Sequence, residues 1–106
     1  MNIQIHARNI QLTSEAHGLA TQRLTRALGR FAHRIGRITV RLYDTNGPKG
    51  GVDVDVLALV EFRQGTRLVV RGAYASPQEA IAGIVERVRQ SVVRVHDRLI
   101  KTHQVT

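Results

Sequence analysis

Residues 76–101 have the sequence SPQEAIAGIVERVRQSVVRVHDRLIK, and this stretch decides the fold. Ser76 supplies a side-chain oxygen that can cap free helix amides, and Pro77 suits the first helical position. Apolar residues then recur with the 3.6-residue period of a helix that packs on one face. They are Ile81, Ile84, Val85, Val88, Val92, Val95 and Leu99. The stretch therefore predicts a long amphipathic helix that needs a surface against which to bury this face.

A basic flank runs beside the apolar face of this helix. It consists of Arg87, Arg94, Arg98 and Lys101. Spacings of seven, four and three residues keep these four side chains on one side of a helix. Glu86 falls on another side, so we do not expect it to neutralise the flank. A helix with one packed face and one exposed basic flank is a candidate for lying against phosphates.

The charge balance is the most informative part of the composition. The 106 residues include 16 lysines and arginines against eight acidic residues, which gives a formal net charge of +8, and 14 of the 16 are arginine. Such an excess on a small domain favours a polyanionic partner, either nucleic acid or an anionic membrane surface. Arginine suits bidentate phosphate contacts, although a coding bias also raises the ratio of arginine to lysine. The net charge and its patterning therefore favour nucleic acid.

Length and composition also restrict the class of protein. The chain suits a single domain over residues 1–106, and with 42% hydrophobic residues it can bury a core. The absence of cysteine excludes disulfides and thiolate metal sites. The N-terminus lacks the pattern of a signal peptide, and no stretch has a membrane-spanning length. We therefore expect a soluble cytoplasmic protein.

A second amphipathic helix is predicted from Ser14 to His33, with Thr13 as its cap. Its apolar face consists of Ala16, Ala20, Leu24, Ala27, Leu28 and Phe31. Its basic flank consists of Arg23, Arg26, Arg30 and Arg34. One exposed arginine often does no more than cover the edge of a core with its methylenes. Two helices that each carry a basic flank are harder to explain in that way.

Four strands account for most of the remaining chain, because apolar and polar residues alternate there. They span residues 2–7, 37–44, 52–63 and 67–74. Residues 47–51 form a glycine-rich loop, and residues 64–66 a tight hairpin. The order β-α-β-β-β-α predicts an α+β fold with a four-stranded mixed sheet, whose first two strands are parallel, and two helices packed on one face. This arrangement is similar to that of double-stranded-RNA-binding domains.

The order of elements and several short strings resemble the ribosome hibernation-promoting factor family, also called ribosome-associated inhibitor A or sigma-54 modulation proteins. Residues 3–13, IQIHARNIQLT, are similar to its alternating first strand, hydrophobic link and capping threonine. Residues 28–31 (LGRF) and 38–40 (ITV) match its passage from the first helix into the second strand. Residues 80–81 (AI) and 86–88 (ERV) match its closing helix. The resemblance covers essentially the whole chain.

The resemblance implies a factor that binds the small ribosomal subunit across its messenger and transfer RNA channel. It implies that translation is blocked and ribosomes are protected in non-growing cells, and that the chain is a short form without the C-terminal extension of longer members. Arg8 matches a basic position at the end of the family's first strand. The residues expected to contact RNA are Arg8, Arg23, Arg26, Arg30, Arg34, Arg87, Arg94, Arg98 and Lys101.

Two other functions stay open at this point. The first is a general binder of structured RNA without a ribosomal address. The second is a regulator that contacts a sigma factor through the outer face of the sheet. That face would show Leu57, Leu59 and Val69 as an apolar patch. The polar residues around the patch would be His6, Arg41, Asp53, Asp55, Glu61, Arg67 and Arg71.

Catalysis and cofactor binding are not expected. Lys49 lies in a glycine-rich loop, but the loop lacks the GK[ST] ending of a phosphate-binding loop. The aspartates near it lack the spacing of a calcium loop. The five histidines form no ligand set in the sequence, and no serine has a base and an orienting group beside it. We therefore expect no cofactor, no metal and no small-molecule substrate.

Overall fold

The computed structural model describes residues 1–45 and 53–104, with side chains up to Ile100. The described residues form four strands and two α-helices in the predicted order β-α-β-β-β-α. The strands are β1 (Asn2–Arg8), β2 (Ile35–Asp44), β3 (Val54–Phe62) and β4 (Arg67–Tyr74). The helices are α1 (Ser14–Leu28) and α2 (Pro77–Gln104). The predicted α+β fold is confirmed.

The strands lie side by side in the order β1-β2-β3-β4. β1 and β2 are parallel, as the helical crossover between them requires, and the other two pairs are antiparallel. At the hairpin between β3 and β4, the Phe62 amide donates to the Thr66 carbonyl at 2.8 Å. Gly65 in that turn has a φ of 111°, a left-handed conformation that glycine adopts without steric cost. The predicted hairpin at residues 64–66 is therefore confirmed.

Both helices pack on one face of the sheet and share a single hydrophobic core with it. Every second residue of β3 points into that core, and so do the apolar stripes of the two helices. The largest fully buried side chains are Phe31, Leu24, Leu28, Ile35, Ile38, Leu42, Ile84, Val54, Val56, Val60, Val88 and Val92. The opposite face of the sheet has no helix over it among the described residues.

The predicted caps hold both helix starts. The Thr13 hydroxyl accepts from the Ala16 amide at 3.0 Å, and the Ser76 hydroxyl accepts from the Glu79 amide at 3.1 Å. Each bond satisfies an amide that the helix itself leaves without a partner. The caps fix the residue at which each helix begins.

The predicted end of the first helix was wrong. The α-helix stops at Leu28 and tightens into one turn of 3₁₀-helix over Gly29–Phe31, so it does not extend to His33. Gly29 is a poor helix former, and the tighter turn brings Phe31 into the core, where it is almost fully buried. The predicted start of the third strand at Val52 and the predicted loop at residues 47–51 lie outside the described residues.

Candidate nucleic-acid interface

The first basic flank consists of three arginines on α1 and the 3₁₀ turn that follows it. Arg23, Arg26 and Arg30 are all exposed, and their spacings of three and four residues place them on one side of the helix. The Arg30 guanidinium lies 4.8 Å from the centroid of the Phe31 ring. This cation–π contact orients one arginine of the flank while leaving it accessible. We call Arg23, Arg26 and Arg30 the α1 flank.

Arg34 does not belong to this flank, although the sequence predicted that it would. Because the helix ends early, Arg34 lies in the turn before β2, where its carbonyl accepts from the Arg63 amide at 2.9 Å. Its side chain is half-buried, and its Nε atom is enclosed without a hydrogen-bond partner in the part of the chain that the structure describes. The helical spacing that grouped Arg34 with Arg30 therefore does not apply.

The second basic flank lies on α2. Arg87, Arg94 and Arg98 are exposed, and their spacings of seven and four residues place them on one side of the helix. The Arg87 guanidinium donates to the Arg71 carbonyl of β4 at 2.7 Å and lies 5.7 Å from the centroid of the Tyr74 ring. Arg87 is therefore anchored to the sheet edge. We call Arg87, Arg94 and Arg98 the α2 flank; the predicted fourth member, Lys101, has a side chain outside the described residues.

The structure places the two flanks on different sides of α2. A groove between the helices is lined by Arg23 and Arg26 from α1 and by Ala82, Val85 and Glu86 from α2. The α1 flank therefore borders this interhelical groove, which has an apolar floor. The α2 flank faces the other way, towards β4, as the contact of Arg87 with Arg71 shows. The two flanks form two basic strips and do not merge into one.

Glu86 brings a negative charge to the interhelical groove. Its carboxylate accepts from the Nε of Arg89 at 3.0 Å and from the side-chain amide of Gln90 at 3.3 Å. The hydrogen bond from Arg89 lowers the pKa of Glu86 below its usual value. The same contact raises the pKa of Arg89. Arg89 of α2 is therefore paired with a carboxylate. The three arginines of the α2 flank take no part in this pair.

Arg8 lies apart from both helix flanks. It is the last residue of β1, it is exposed, and its register partner is Tyr43. Because Ile3 and Ile5 of β1 point towards the core, Arg8 points to the outer face of the sheet. The family resemblance groups it with the helix arginines, but the fold separates it from them by the thickness of the sheet.

Four other arginines of the outer face are not in the set that the sequence predicts to contact RNA. Arg37, Arg41, Arg67 and Arg71 alternate with inward-facing residues and are exposed. The signal that identifies them is the period of two in β2 and β4, combined with their charge.

Among the described residues no group of three potential metal ligands occurs. No helix in the described part of the chain is long and apolar enough to span a membrane.

Comparison with known proteins places this geometry among solved structures. A ribosomal subunit interface protein from Coxiella burnetii aligns with a TM-score of 0.77 and 12% sequence identity, over 92% of this chain and 99% of that chain. The N-terminal domain of Protein Y from Thermus thermophilus aligns with a TM-score of 0.72 and 21% identity, over 90% of this chain and 99% of that chain. The chain has the fold of these proteins.

At these identities the likeness establishes a common fold. The resemblance to the hibernation-promoting factor family that the sequence carries is thereby confirmed at the level of the fold. No protein-family model matches the sequence, and no curated protein matches it at a significant level.

Proposed function

We propose that this protein is a cytoplasmic ribosome-binding factor that inhibits translation in non-growing cells. It would occupy the messenger and transfer RNA channel of the small subunit through the α1 and α2 flanks. One observation carries the proposal: exposed arginines line both helices of a fold that a ribosomal subunit interface protein shares. The proposed action is binding, without a chemical reaction or a cofactor.

The physical basis of the proposed binding is the release of counterions from RNA phosphates. Each arginine that contacts a phosphate releases condensed cations, so the logarithm of the binding constant falls with the logarithm of the salt concentration. Structured RNA is recognised mainly through its shape, phosphates and 2′-hydroxyls. Two rigid helices that hold arginines at fixed spacings suit this kind of recognition.

Co-sedimentation with ribosomes and with separated subunits, repeated at increasing salt, tests the proposal. We expect saturable binding to the small subunit that weakens with salt and in the presence of bound transfer RNA. Replacing Arg94 by glutamate is the sharpest change, because Arg94 is exposed and lies between Arg87 and Arg98 on the α2 flank. A hydrogen bond to a charged group contributes about 1.5–3 kcal/mol, so we expect roughly a tenfold or greater loss of affinity.

Arg63→Glu is the matched control for Arg94→Glu. Arg63 is also exposed, and the substitution changes the net charge by the same amount, but Arg63 lies in the turn beyond the end of β3 and belongs to neither helix. Equal losses in the two variants would mean that only net charge matters and that the α2 flank is not the contact surface. An RNA duplex added at equal nucleotide concentration separates a ribosomal address from general RNA binding, since only a general binder is titrated away.

A further inference from the structure

The outer face of the sheet carries a second excess of positive charge, on the side opposite the helices. Register partners on neighbouring strands point to the same face, so the outward residues of β1 to β4 form rows across the sheet. These rows hold five arginines against two carboxylates. The arginines are Arg8, Arg37, Arg41, Arg67 and Arg71.

The charge is partly offset at the hairpin end of this face. Glu61 lies between Arg37 and Arg67 in the register, and its carboxylate is 3.8 Å from the Nε of Arg67. A carboxylate between two guanidinium groups reduces the local potential for an anion. The hairpin end is therefore the weaker half of the surface.

The positive charge is concentrated towards the opposite end. One row places His6, Arg41, Leu57 and Arg71 side by side, with no carboxylate in the row. His6, Arg41 and Arg71 are exposed, and Leu57 is half-buried between the two arginines. The two arginines are two strand spacings apart, about 10 Å between their backbones. We call these four residues the cationic row.

Tyr43 lies in the next row and separates two shallow hollows of about 310 Å³ each. Arg8 and Arg41 are among the residues that line the first hollow, and Arg71 and Asp55 are among those that line the second. Tyr43 is half-buried, so part of it stays accessible. Arg8 and Arg41 thus border the hollow on one side of Tyr43, and Arg71 borders the hollow on the other side together with Asp55.

We propose that the cationic row and Tyr43 bind single-stranded RNA. The guanidinium groups of Arg41 and Arg71 suit phosphates, and guanidinium planes also stack on bases. Tyr43 and Leu57 offer the flat and apolar contacts that unpaired bases require. A duplex keeps its base faces stacked inside and would present only phosphates and sugars to these two side chains. An unpaired strand therefore matches both the charge and the apolar surface between the charges.

A second copy of the chain is a poorer occupant of this face. Val69 is 52% exposed and adjoins Leu59, which gives the face an apolar patch of the kind that supports self-association. A two-fold interface would, however, bring this face of both copies together, and on each copy it carries five arginines against two carboxylates. Like charges juxtaposed in an interface cost several kcal/mol. The charge thus favours a polyanion over a copy of the chain.

This surface goes beyond the proposed ribosome contact of the helices. The helices cover one face of the sheet and the cationic row lies on the other, so an unpaired strand and a structured RNA can be bound at the same time. The binding of an isolated single strand does not depend on whether the helix flanks have a ribosomal address.

Fluorescence anisotropy with a labelled oligouridine of about 12 nucleotides tests the proposal, because that length matches the site size of single-strand binders. The variant carries Arg41→Glu and Arg71→Glu, and the matched control carries Arg23→Glu and Arg26→Glu on the α1 flank. Both pairs change the net charge equally. We expect the sheet pair to lose about tenfold or more in affinity, and its slope of log K against log salt to fall by roughly 1.4. The control should lose less than about threefold, through long-range charge alone.

Equal losses in the two variants, or wild-type affinity in the sheet pair, would overturn the proposal. A wild-type protein that fails to bind oligouridine at low salt would also overturn it and would leave this face to a protein partner. Circular dichroism melting checks that each variant folds, and Arg41→Gln with Arg71→Gln replaces the glutamate pair if it does not. Ribosome co-sedimentation of the same variants separates the two proposals. If the α1 pair keeps its ribosome binding in that experiment, the result counts against the helix flanks, whatever the oligouridine measurement shows.

Discussion

At the scale of single residues, Tyr74 explains two glycines that sequence patterns alone do not. Its ring lies where a Cβ on Gly83 would be, and within 2.6 Å of where a Cβ on Gly72 would be. Gly83 is inside α2, where glycine costs about 1 kcal/mol relative to alanine. The close approach of α2 to β4 at this point accounts for that cost. It also positions Arg87 over the same ring.

Gly83→Ala should therefore destabilise the protein, in spite of the better helix propensity of alanine. Overpacking a well-packed site typically costs about 1–3 kcal/mol, which exceeds the gain of about 1 kcal/mol in propensity. Gly18→Ala is the matched control, since Gly18 is inside α1 and nothing lies within 4 Å of its added Cβ. Urea denaturation should show a lower free energy of unfolding for the first variant and a higher one for the second. A stabilising effect of both would contradict the packing of Tyr74 against Gly83.

At the scale of elements, the start of α1 was predictable and its end was not. Thr13 precedes the apolar periodicity, and the prediction that it caps the helix is confirmed by its bond from the Ala16 amide. The end depends on how deeply Phe31 enters the core and on its contact with the His96 ring of α2, 4.8 Å between centroids. Such a contact joins residues far apart in the sequence, so local periodicity does not contain it. This is why the helical spacing placed Arg34 on the wrong element.

Two threonine substitutions in and before α1 should have different effects on stability. Thr13→Ala removes the capping acceptor and should lower the free energy of unfolding by about 1 kcal/mol. Thr25→Ala removes only a hydroxyl that donates to the Thr21 carbonyl at 2.8 Å within the helix. Such back-bonding helps a helix little, and alanine has the higher propensity, so this variant should be neutral or slightly stabilised. Thermal unfolding of the two variants side by side measures the difference; a Thr13→Ala variant as stable as the wild type would mean that the cap bond is not formed in solution.

At the scale of the whole molecule, the sequence contained the members of each basic flank but not the relation between the flanks. Spacing alone places Arg87, Arg94 and Arg98 on one side of a helix, as observed. Which side faces α1 depends on how α2 is rotated about its axis when it packs. That rotation is set by the buried stripe of α2 and by the contact at Tyr74, both of which are tertiary. The result is two basic strips, with the interhelical groove beside one of them.

Losses of ribosome affinity from the two flanks should therefore be additive. Arg23 and Arg26 border the interhelical groove, whereas Arg94 is on the side of α2 that faces β4, so no single phosphate should contact both. Changes at distant sites without shared partners usually add within about 0.3–0.5 kcal/mol. Co-sedimentation affinities of the α1 pair (Arg23→Glu with Arg26→Glu), of Arg94→Glu and of the triple variant complete this cycle.

The internal control for this cycle is the α1 pair itself. Arg23 and Arg26 are one helical turn apart on one flank, so their single substitutions can share a phosphate and should couple by about 0.5–3 kcal/mol. If Arg94→Glu instead couples with the α1 pair as strongly as Arg23 couples with Arg26, one RNA element spans α2 and contacts both strips. If neither combination couples, the arginines act through net charge alone, and the salt dependence of each variant should then shift by the same amount for each charge changed.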